Sequence, residues 1–255
     1  MIGLSSLSCL LLGWGLSKSA VVMGYSPLMV MKSGKSKIKD VMMKRGNMVF
    51  TPNQQILWDN LQHPDVPLVC VVGPAGSGKT HLSCLQAIQQ LESGQVDKIV
   101  LTRPLVSMVD EPIGFLPGSL ENKMAPWTRP FLDVFAESFS SKQVLDKKIK
   151  DKVIEVIPFS FLQGLTFKRT FVIADEMQHS TTSQIKLLTT RVGTGTKMVI
   201  LGDIQQSRSD VRGMTGLQDF LQRVVAKPSP LISVVSLEDR DIHRHPLVKD
   251  ILRLF

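Results

Sequence analysis

The eight-residue segment from Gly73 to Thr80 constrains the fold of this chain more than any other feature. Its sequence, GPAGSGKT, fits the pattern G-x-x-x-x-G-K-[ST]. The apolar run Pro67–Val72 precedes it and predicts a buried strand, and a helical pattern over Thr80–Leu91 follows it. In a strand–loop–helix unit of this kind, backbone N–H groups and the helix N-terminus face anionic oxygens. The segment therefore predicts a phosphate-binding loop within an α/β domain.

Each residue of this loop is expected to contact a bound nucleotide, which we take to be ATP. Lys79 is predicted to reach the β- and γ-phosphates and so to serve catalysis, and the Thr80 hydroxyl is predicted to ligate Mg²⁺. The loop residues that carry this expectation are Gly73, Pro74, Ala75, Gly76, Ser77, Gly78, Lys79 and Thr80.

A second motif ends an apolar strand. The run Phe171–Ala174 is followed by Asp175 and Glu176, so the strand would carry paired carboxylates at the ligand edge of the sheet. Asp175 is expected to hold Mg²⁺ through water, and Glu176 to polarise the attacking water. Because hydrolysis needs a base for that water, the glutamate favours an ATPase over a kinase or a nucleotide switch. An exposed Asp-Glu turn is the alternative interpretation.

A third strand ends in the polar sequence Gly202-Asp203-Ile204-Gln205-Gln206. An amide or carboxylate of this turn is expected to sense the γ-phosphate and to orient water.

Arg191 closes the helix between this strand and the Asp-Glu strand, and two interpretations of it remain open. It interacts with the helix C-terminal dipole, or it acts as an arginine finger on the γ-phosphate of a neighbouring subunit.

Strand and helix patterns alternate along most of the chain. Because the strands are continuous apolar runs, they predict a mostly parallel sheet that is covered by helices on both faces. The further predicted strands are Lys98–Thr102, Val153–Ile157, Arg169–Ala174, Met198–Leu201 and Leu231–Val235. The further predicted helices are Thr51–Gln62, Ser119–Phe139 with breaks near Pro126 and Pro130, Thr181–Arg191, Gly213–Val225 and Pro246–Phe255.

Residues 1–48 differ in composition from the rest of the chain. They hold seven basic residues and one acidic residue, so they carry +6 of the net charge of +8. We predict an N-terminal extension and basic linker over 1–48, either poorly ordered or a targeting segment, and one ATPase domain over 49–255. The near-neutral domain does not itself indicate nucleic acid. Three cysteines without framework spacing favour a reducing compartment, so we expect a cytoplasmic protein. We also expect that its core does not enter a membrane.

Taken together, several motifs resemble the PhoH-like family of P-loop ATPases over about residues 50–255. Besides the phosphate-binding loop and the segment Asp175-Glu176-Met177-Gln178, the resemblance depends on six short segments. They are Thr51-Pro52-Asn53-Gln54-Gln55, Leu101-Thr102-Arg103-Pro104, Gly114-Phe115-Leu116-Pro117-Gly118, Thr190-Arg191-Val192-Gly193, Gly202-Asp203 and Arg244-His245-Pro246-Leu247-Val248.

The resemblance implies a three-layer RecA-like core similar to that of superfamily 1 helicases, ATP hydrolysis with Mg²⁺, and a link to phosphate starvation. It also implies RNA or single-stranded nucleic acid as a substrate, helicase activity in some members, a ribonuclease partner and a homo-oligomeric ring such as a hexamer. By position, Gln54 resembles the glutamine that reads adenine, Gln206 the glutamine at the γ-phosphate, and Arg103 a residue that touches the nucleic-acid strand.

Two features depart from this pattern. Leu165 stands where many relatives carry an arginine, so any role of that arginine is not carried over to this chain. The chain also holds a single core, and we therefore expect a neighbouring subunit to complete the ATP site.

Two alternative functions remain open. One is a non-catalytic nucleotide switch or scaffold, and the other is a small-molecule phosphotransferase, although no arginine-rich lid is evident for the phosphotransferase.

Overall fold

The structure, a computed structural model, describes residues 49–104, 120–139, 141–206 and 214–242. Its described strands are β1 (Leu68–Val72), β2 (Lys98–Thr102), β3 (Ile154–Val156), β4 (Thr170–Ala174), β5 (Lys197–Gly202) and β6 (Ile232–Ser236). These form one sheet in the order β3-β2-β4-β5-β1-β6, and each neighbouring pair is parallel. In a parallel sheet all carboxyl ends meet at one edge, which is where ligands bind in α/β proteins.

Helices connect these strands. The described helices are α1 (Pro52–Gln62), α2 (Lys79–Glu92), α3 (Leu120–Ser138), α4 (Lys142–Lys150), α5 (Thr182–Thr189) and α6 (Gly216–Ala226). Thr51 caps α1 in the predicted manner, since its hydroxyl accepts from the Gln54 N–H while the Gln54 side chain accepts from the Thr51 N–H. No helix in the described part of the chain is both long and apolar enough to cross a membrane.

The sheet is buried on both faces, as the continuous apolar strands predict. Alternate residues of β1 point to opposite sides: Val69 and Val71 pack with α1, α2 and α3, while Cys70 and Val72 pack with α5 and α6. The domain therefore has three layers, with helices above and below a parallel sheet. This arrangement confirms the predicted three-layer α/β fold class with a mostly parallel sheet.

The helices differ from the sequence prediction in two places. Helix α3 continues through Pro126 and Pro130, where breaks were predicted. Buried Phe131 and Phe135 tie α3 to the core, and such packing outweighs the local cost of about 3 kcal/mol that a proline imposes on a helix. Helix α4 was not predicted at all. Its signal was weak because it buries only Leu145 among otherwise polar or exposed residues.

Several predictions lie outside the described residues. These are the extension 1–48, the segment Gly114–Gly118, the start of the helix predicted at Gly213, and the last helix with the segment Arg244–Val248. The division of the chain at residues 48 and 49 stays a prediction.

Candidate active site

The glycine-rich loop connects β1 to α2 and curls as the motif requires. Gly76 and Gly78 have φ values of 84° and 95°, in the left-handed region that glycine adopts without a Cβ penalty. Gly73 is required for a different reason, since a Cβ at this position would lie 2.7 Å from the carbonyl oxygen of Leu237. The segment after β6 therefore packs directly against the start of the loop.

The Lys79 ammonium lies against the loop that precedes it. Nζ donates to the carbonyl oxygens of Gly73 at 2.6 Å and Pro74 at 2.8 Å. The Ser77 hydroxyl donates to the same Pro74 carbonyl at 2.8 Å. Because bonds between two charged groups are stronger than bonds to a neutral carbonyl, a phosphate would compete well for this ammonium. The position of Lys79 is thus suited to its predicted role.

Thr80 and Asp175 meet although they lie 95 residues apart in sequence. The Thr80 hydroxyl donates to Asp175 Oδ2 at 3.2 Å, at the carboxyl edge of the sheet. Strand β5 separates β1 from β4, so the loop and the acidic pair face each other across one strand. A hydroxyl and a carboxylate are oxygen ligands of the kind that Mg²⁺ prefers, and these two residues would hold it.

Asp175 is strongly desolvated. Its burial, and to a smaller extent the neighbouring Glu176 charge, raises the pKa of Asp175 to about 6. The Glu176 N–H, the Arg103 charge and the Thr80 hydroxyl act in the opposite direction. A buried carboxyl with a raised pKa in a cleft is typical of a functional site, since a bound cation would restore the ionised form.

Glu176 has an unusual backbone conformation. Its φ of 55° and ψ of 34° lie in the left-handed region, which costs a non-glycine residue roughly 1–3 kcal/mol. Its N–H donates to Asp175 Oδ1 at 3.0 Å, and its Oε2 accepts from Gln178 Nε2 at 2.6 Å. The turn after β4 therefore fixes the orientation of both carboxylates.

The turn after β5 reaches the same cavity. The Asp203 side chain accepts from the Gln205 N–H at 3.0 Å, and the Asp203 carbonyl accepts from the Gln206 N–H at 3.2 Å. These bonds place Gln206 at the cavity wall beside Gly202. Its predicted contact with the γ-phosphate stays a prediction.

Groups from the loop, from the acidic pair and from the turn after β5 line one cavity of about 760 Å³. This volume lies within the range of roughly 300–1,000 Å³ that is usual for small-molecule sites. The described lining residues are Val49, Phe50, Gln54, Ala75, Gly76, Gly78, Lys79, Thr80, His81, Leu82, Asp175, Glu176, Gln178, Gly202, Asp203 and Gln206. The structure thus brings together the three strand-end motifs that the sequence singled out.

Gln54 lines the cavity but is engaged within the protein. It is 4% exposed, and its Nε2 donates to the carbonyl oxygens of Ser77 at 3.0 Å and Asp241 at 3.1 Å. Its Oε1 accepts from the Thr51 N–H at 3.1 Å. Both hydrogens of this amide are therefore used in the structure, and a contact with adenine would require Gln54 to give up one of these carbonyl partners.

The two arginines that the sequence singled out occupy different places. Arg103 directly follows β2, and its charge acts on Asp175, so it lies near the acidic edge of the cavity. Arg191 lies where α5 ends and the chain returns to the start of β5, at the opposite edge of the sheet. Its guanidinium donates to Leu187 O at 3.2 Å and to Leu165 O at 3.1 Å. These contacts favour the helix-end interpretation of Arg191.

Two buried side chains here were given no role from the sequence, although Gln178 belongs to the segment Asp175–Gln178 that contributes to the family resemblance. Gln178, which is 2% exposed, joins Glu176 to the turn after β5. Asp241, which is 0% exposed, joins the segment after β6 to the start of α1. A local signal existed for Gln178, since it lies two residues after the acidic pair. Nothing local distinguished Asp241 from its acidic neighbours.

The two cysteines of the described residues, Cys70 and Cys84, are buried in the core. Burial raises the pKa of the Cys70 thiol to about 12 and also raises that of Cys84, so both remain protonated. Neither is in a disulfide. Within the described ranges, no group of three or more His, Cys, Asp or Glu side chains is arranged to hold a metal ion.

Among solved structures, Pif1 helicase from Candida albicans aligns at a TM-score of 0.37 with 15% identity, over 75% of this chain and 40% of its own. The Hef helicase domain from Pyrococcus furiosus aligns at a TM-score of 0.40 with 12% identity, over 72% of this chain and 37% of its own.

Sequence relatives are closer. A PhoH-like protein of Synechocystis is 38% identical over 184 residues, 72% of this chain and 55% of the relative. One of Bacillus subtilis is 36% identical over 188 residues, 74% of this chain and 58% of the relative. Protein PhoH of Escherichia coli is 32% identical over 190 residues, 74% of this chain and 52% of the relative. The matches thus span little more than half the length of these relatives.

The sequence profile of the family described as PhoH-like protein matches residues 48–255, most of the chain. This match includes the phosphate-binding loop, the Asp-Glu pair and the Gly202–Gln206 turn that form the cavity. The resemblance predicted from the motifs is therefore confirmed, and the chain belongs to the PhoH-like protein family.

Proposed function

We propose that this protein binds ATP with Mg²⁺ in the cavity and hydrolyses it. The observation that carries the proposal is the contact between Thr80 and Asp175 at 3.2 Å, in a cavity that Lys79 and Glu176 also line. A phosphate-binding loop, a cation ligand and a candidate base thereby share one cavity, which is the set of groups that triphosphate hydrolysis requires.

Each group has a defined task in this proposal. The loop N–H groups and Lys79 bind the phosphates, and Thr80 and Asp175 hold Mg²⁺, which neutralises charge on the phosphates when it is bound. Glu176 accepts the proton of the attacking water, and Gln206 contacts the γ-phosphate. The choice of ATP follows from the resemblance of the segment that contains Gln54.

Phosphate release tests this proposal directly. We expect the full chain to release phosphate from ATP only when Mg²⁺ is present, and Lys79→Met to lose most of its nucleotide affinity by calorimetry. Lys168→Met, which removes an exposed lysine far from the cavity lining, is the matched control. Absence of ATP binding by the unmodified chain would refute the proposal, whereas binding without hydrolysis would favour the nucleotide switch or scaffold.

The wider activity is also part of the proposal. We infer that hydrolysis is coupled to RNA or single-stranded nucleic acid, in a ring that a ribonuclease joins, because the family resemblance implies these partners. A cytoplasmic location agrees with the free thiols of Cys70 and Cys84. Hydrolysis measured with and without single-stranded RNA, at two salt concentrations, tests the coupling, since stimulation through phosphate contacts falls steeply with salt. Light scattering with and without ATP tests the ring.

The raised pKa of Asp175 predicts how Mg²⁺ binding depends on pH. Below about pH 6 the carboxyl holds a proton that Mg²⁺ must displace, so the affinity for Mg²⁺–ATP should fall as the pH is lowered from about 6 to about 5 and be flat from about 7 to about 8. In the absence of Mg²⁺, the free energy of unfolding depends on pH in the opposite direction. The pKa of Asp175 is higher in the folded chain than in the unfolded chain, so the stability that its protonated form contributes is lost as the pH rises through about 6.

Titration calorimetry at each pH, in two buffers that differ in ionisation enthalpy, measures both the affinity and the protons released. Asp175→Asn should reduce the pH dependence to that of the nucleotide phosphates, because its side chain has no proton to displace. A constant affinity across the acidic range in the unmodified chain would contradict the expectation.

The contacts of Arg191 predict a structural effect for its removal. We expect Arg191→Ala to lower the free energy of unfolding by about 1 kcal/mol, since bonds to the Leu187 and Leu165 carbonyls are lost. The hydrolysis rate per subunit should change by less than about twofold. Thermal unfolding and phosphate release measure the two quantities. A loss of rate on the order of 10³-fold would instead establish Arg191 as an arginine finger.

A further inference from the structure

We propose that Gln178 is a positioning residue for hydrolysis, which holds the Glu176 carboxylate and ties it to the turn after β5. The inference rests on the proposed ATPase activity and concerns how the base is oriented within that site. Gln178 lies in the short 3-10 turn Met177–His179, directly after the acidic pair, and it lines the cavity.

The carboxamide of Gln178 bridges two strand ends. Its Nε2 donates to Glu176 Oε2 at 2.6 Å, and its Oε1 accepts from the Asp203 N–H at 3.2 Å. The assignment of the amide atoms is dictated by these partners, because a carboxylate can only accept and a backbone N–H can only donate. One side chain therefore links the base after β4 to the turn after β5.

Space for this bridge is provided by Gly202. A Cβ at that position would lie 3.2 Å from both the N and the Oε1 of Gln178 and 2.4 Å from Leu217 Cδ2. Gly202 thus allows the amide to pass close to the backbone of β5. The same glycine is followed by Asp203, whose carbonyl accepts from the Gln206 N–H, so the bridge ends on the turn that carries the candidate γ-phosphate contact.

Burial makes the bridge sensitive to movement. Gln178 is 2% exposed, so an amide group that loses its protein partner has no access to water as a replacement. If the Asp203 peptide shifts when Gln206 contacts a phosphate, Gln178 must follow, and the Glu176 carboxylate moves with it. The left-handed backbone of Glu176 fixes its main chain, so the side chain is the part that Gln178 controls.

The test replaces the amide by an apolar side chain of similar length. Gln178→Met should lower kcat for ATP hydrolysis by about 10- to 100-fold, since a carboxylate displaced by an ångström loses much of its effect. Nucleotide affinity measured by calorimetry should change by less than about threefold, because the phosphate-binding groups are untouched. Gln90→Met is the matched control: it also removes a buried amide, whose Nε2 donates to Leu61 O at 2.9 Å, but it lies away from the cavity.

A double-mutant cycle separates positioning from general structural damage. If Gln178 acts through Glu176, then adding Gln178→Met to Glu176→Gln should change the single-turnover rate by less than about twofold. Additive losses would overturn the inference, as would an unchanged kcat in Gln178→Met. Should Gln178→Met fail to fold, Gln178→Asn decides the matter, because its shorter amide cannot reach both partners and should show the same loss of kcat. Absence of hydrolysis by the unmodified chain would instead refute the proposed function, and this inference with it.

Discussion

Replacing Glu176 by glutamine is expected to lower the rate of ATP hydrolysis by about 10²- to 10⁴-fold, the usual contribution of a general base. The substitution preserves size and leaves an amide oxygen that can still accept from Gln178 Nε2, so the turn after β4 should keep its shape. What is lost is the ability to take a proton from water. ATP affinity should therefore remain close to that of the unmodified chain, and steady-state phosphate release together with calorimetry measures both quantities.

A matched control removes a carboxylate elsewhere. Glu155 pairs with Lys98 at 2.9 Å on the surface, where both side chains are about a third exposed. Glu155→Gln should leave the hydrolysis rate unchanged and cost at most about 1 kcal/mol of stability, as is usual for exposed ion pairs. If Glu176→Gln hydrolysed ATP at the unmodified rate, Glu176 would not be the base, and the acidic pair would serve only to bind the cation.

The parts of the fold that were predicted correctly are those with a local cause. Strands β1, β4 and β5 are continuous apolar runs, and such runs indicate strands buried on both faces wherever they occur. The phosphate-binding loop and the Asp175–Glu176 pair follow such strands directly. Because parallel strands end at a common edge, the sequence alone predicted that these motifs would meet.

The parts that were missed depend on partners that are distant in sequence. Helix α3 persists through its prolines because Phe131 and Phe135 are buried, and no local rule anticipates that packing. The role of Gln54 at adenine stays a prediction, but the bonds of its amide to Ser77 and Asp241, which lie 23 and 187 residues away, were not predicted. The Gln178 bridge likewise depends on the sheet order, which places β5 beside β4. Hydrogen bonds of this kind become visible only when the topology is known.

Asp241→Ala is expected to be the most destabilising substitution near the site, at about 3–4 kcal/mol. The buried carboxylate accepts from the Thr51 hydroxyl, from Asn53 Nδ2 at 2.9 Å and from the Glu238 N–H at 2.7 Å. Removing it leaves three donors without an acceptor at the junction of α1 and the segment after β6. Thermal unfolding should show a midpoint lower by roughly 10 °C, given a shift of about 2–4 °C per kcal/mol for a chain of this size.

Two further variants make this expectation specific to the buried carboxylate. Asp239→Ala removes an exposed carboxylate from the same turn and should change stability by less than about 0.5 kcal/mol. Asp241→Asn should give an intermediate loss, because one amide oxygen replaces two carboxylate oxygens while the Thr51 hydroxyl can turn to accept from the new amide. An Asp241→Ala protein as stable as Asp239→Ala would mean that water satisfies all three donors. In that case Gln54 would still join α1 to the phosphate-binding loop through the Ser77 carbonyl and to the segment after β6 through the Asp241 carbonyl.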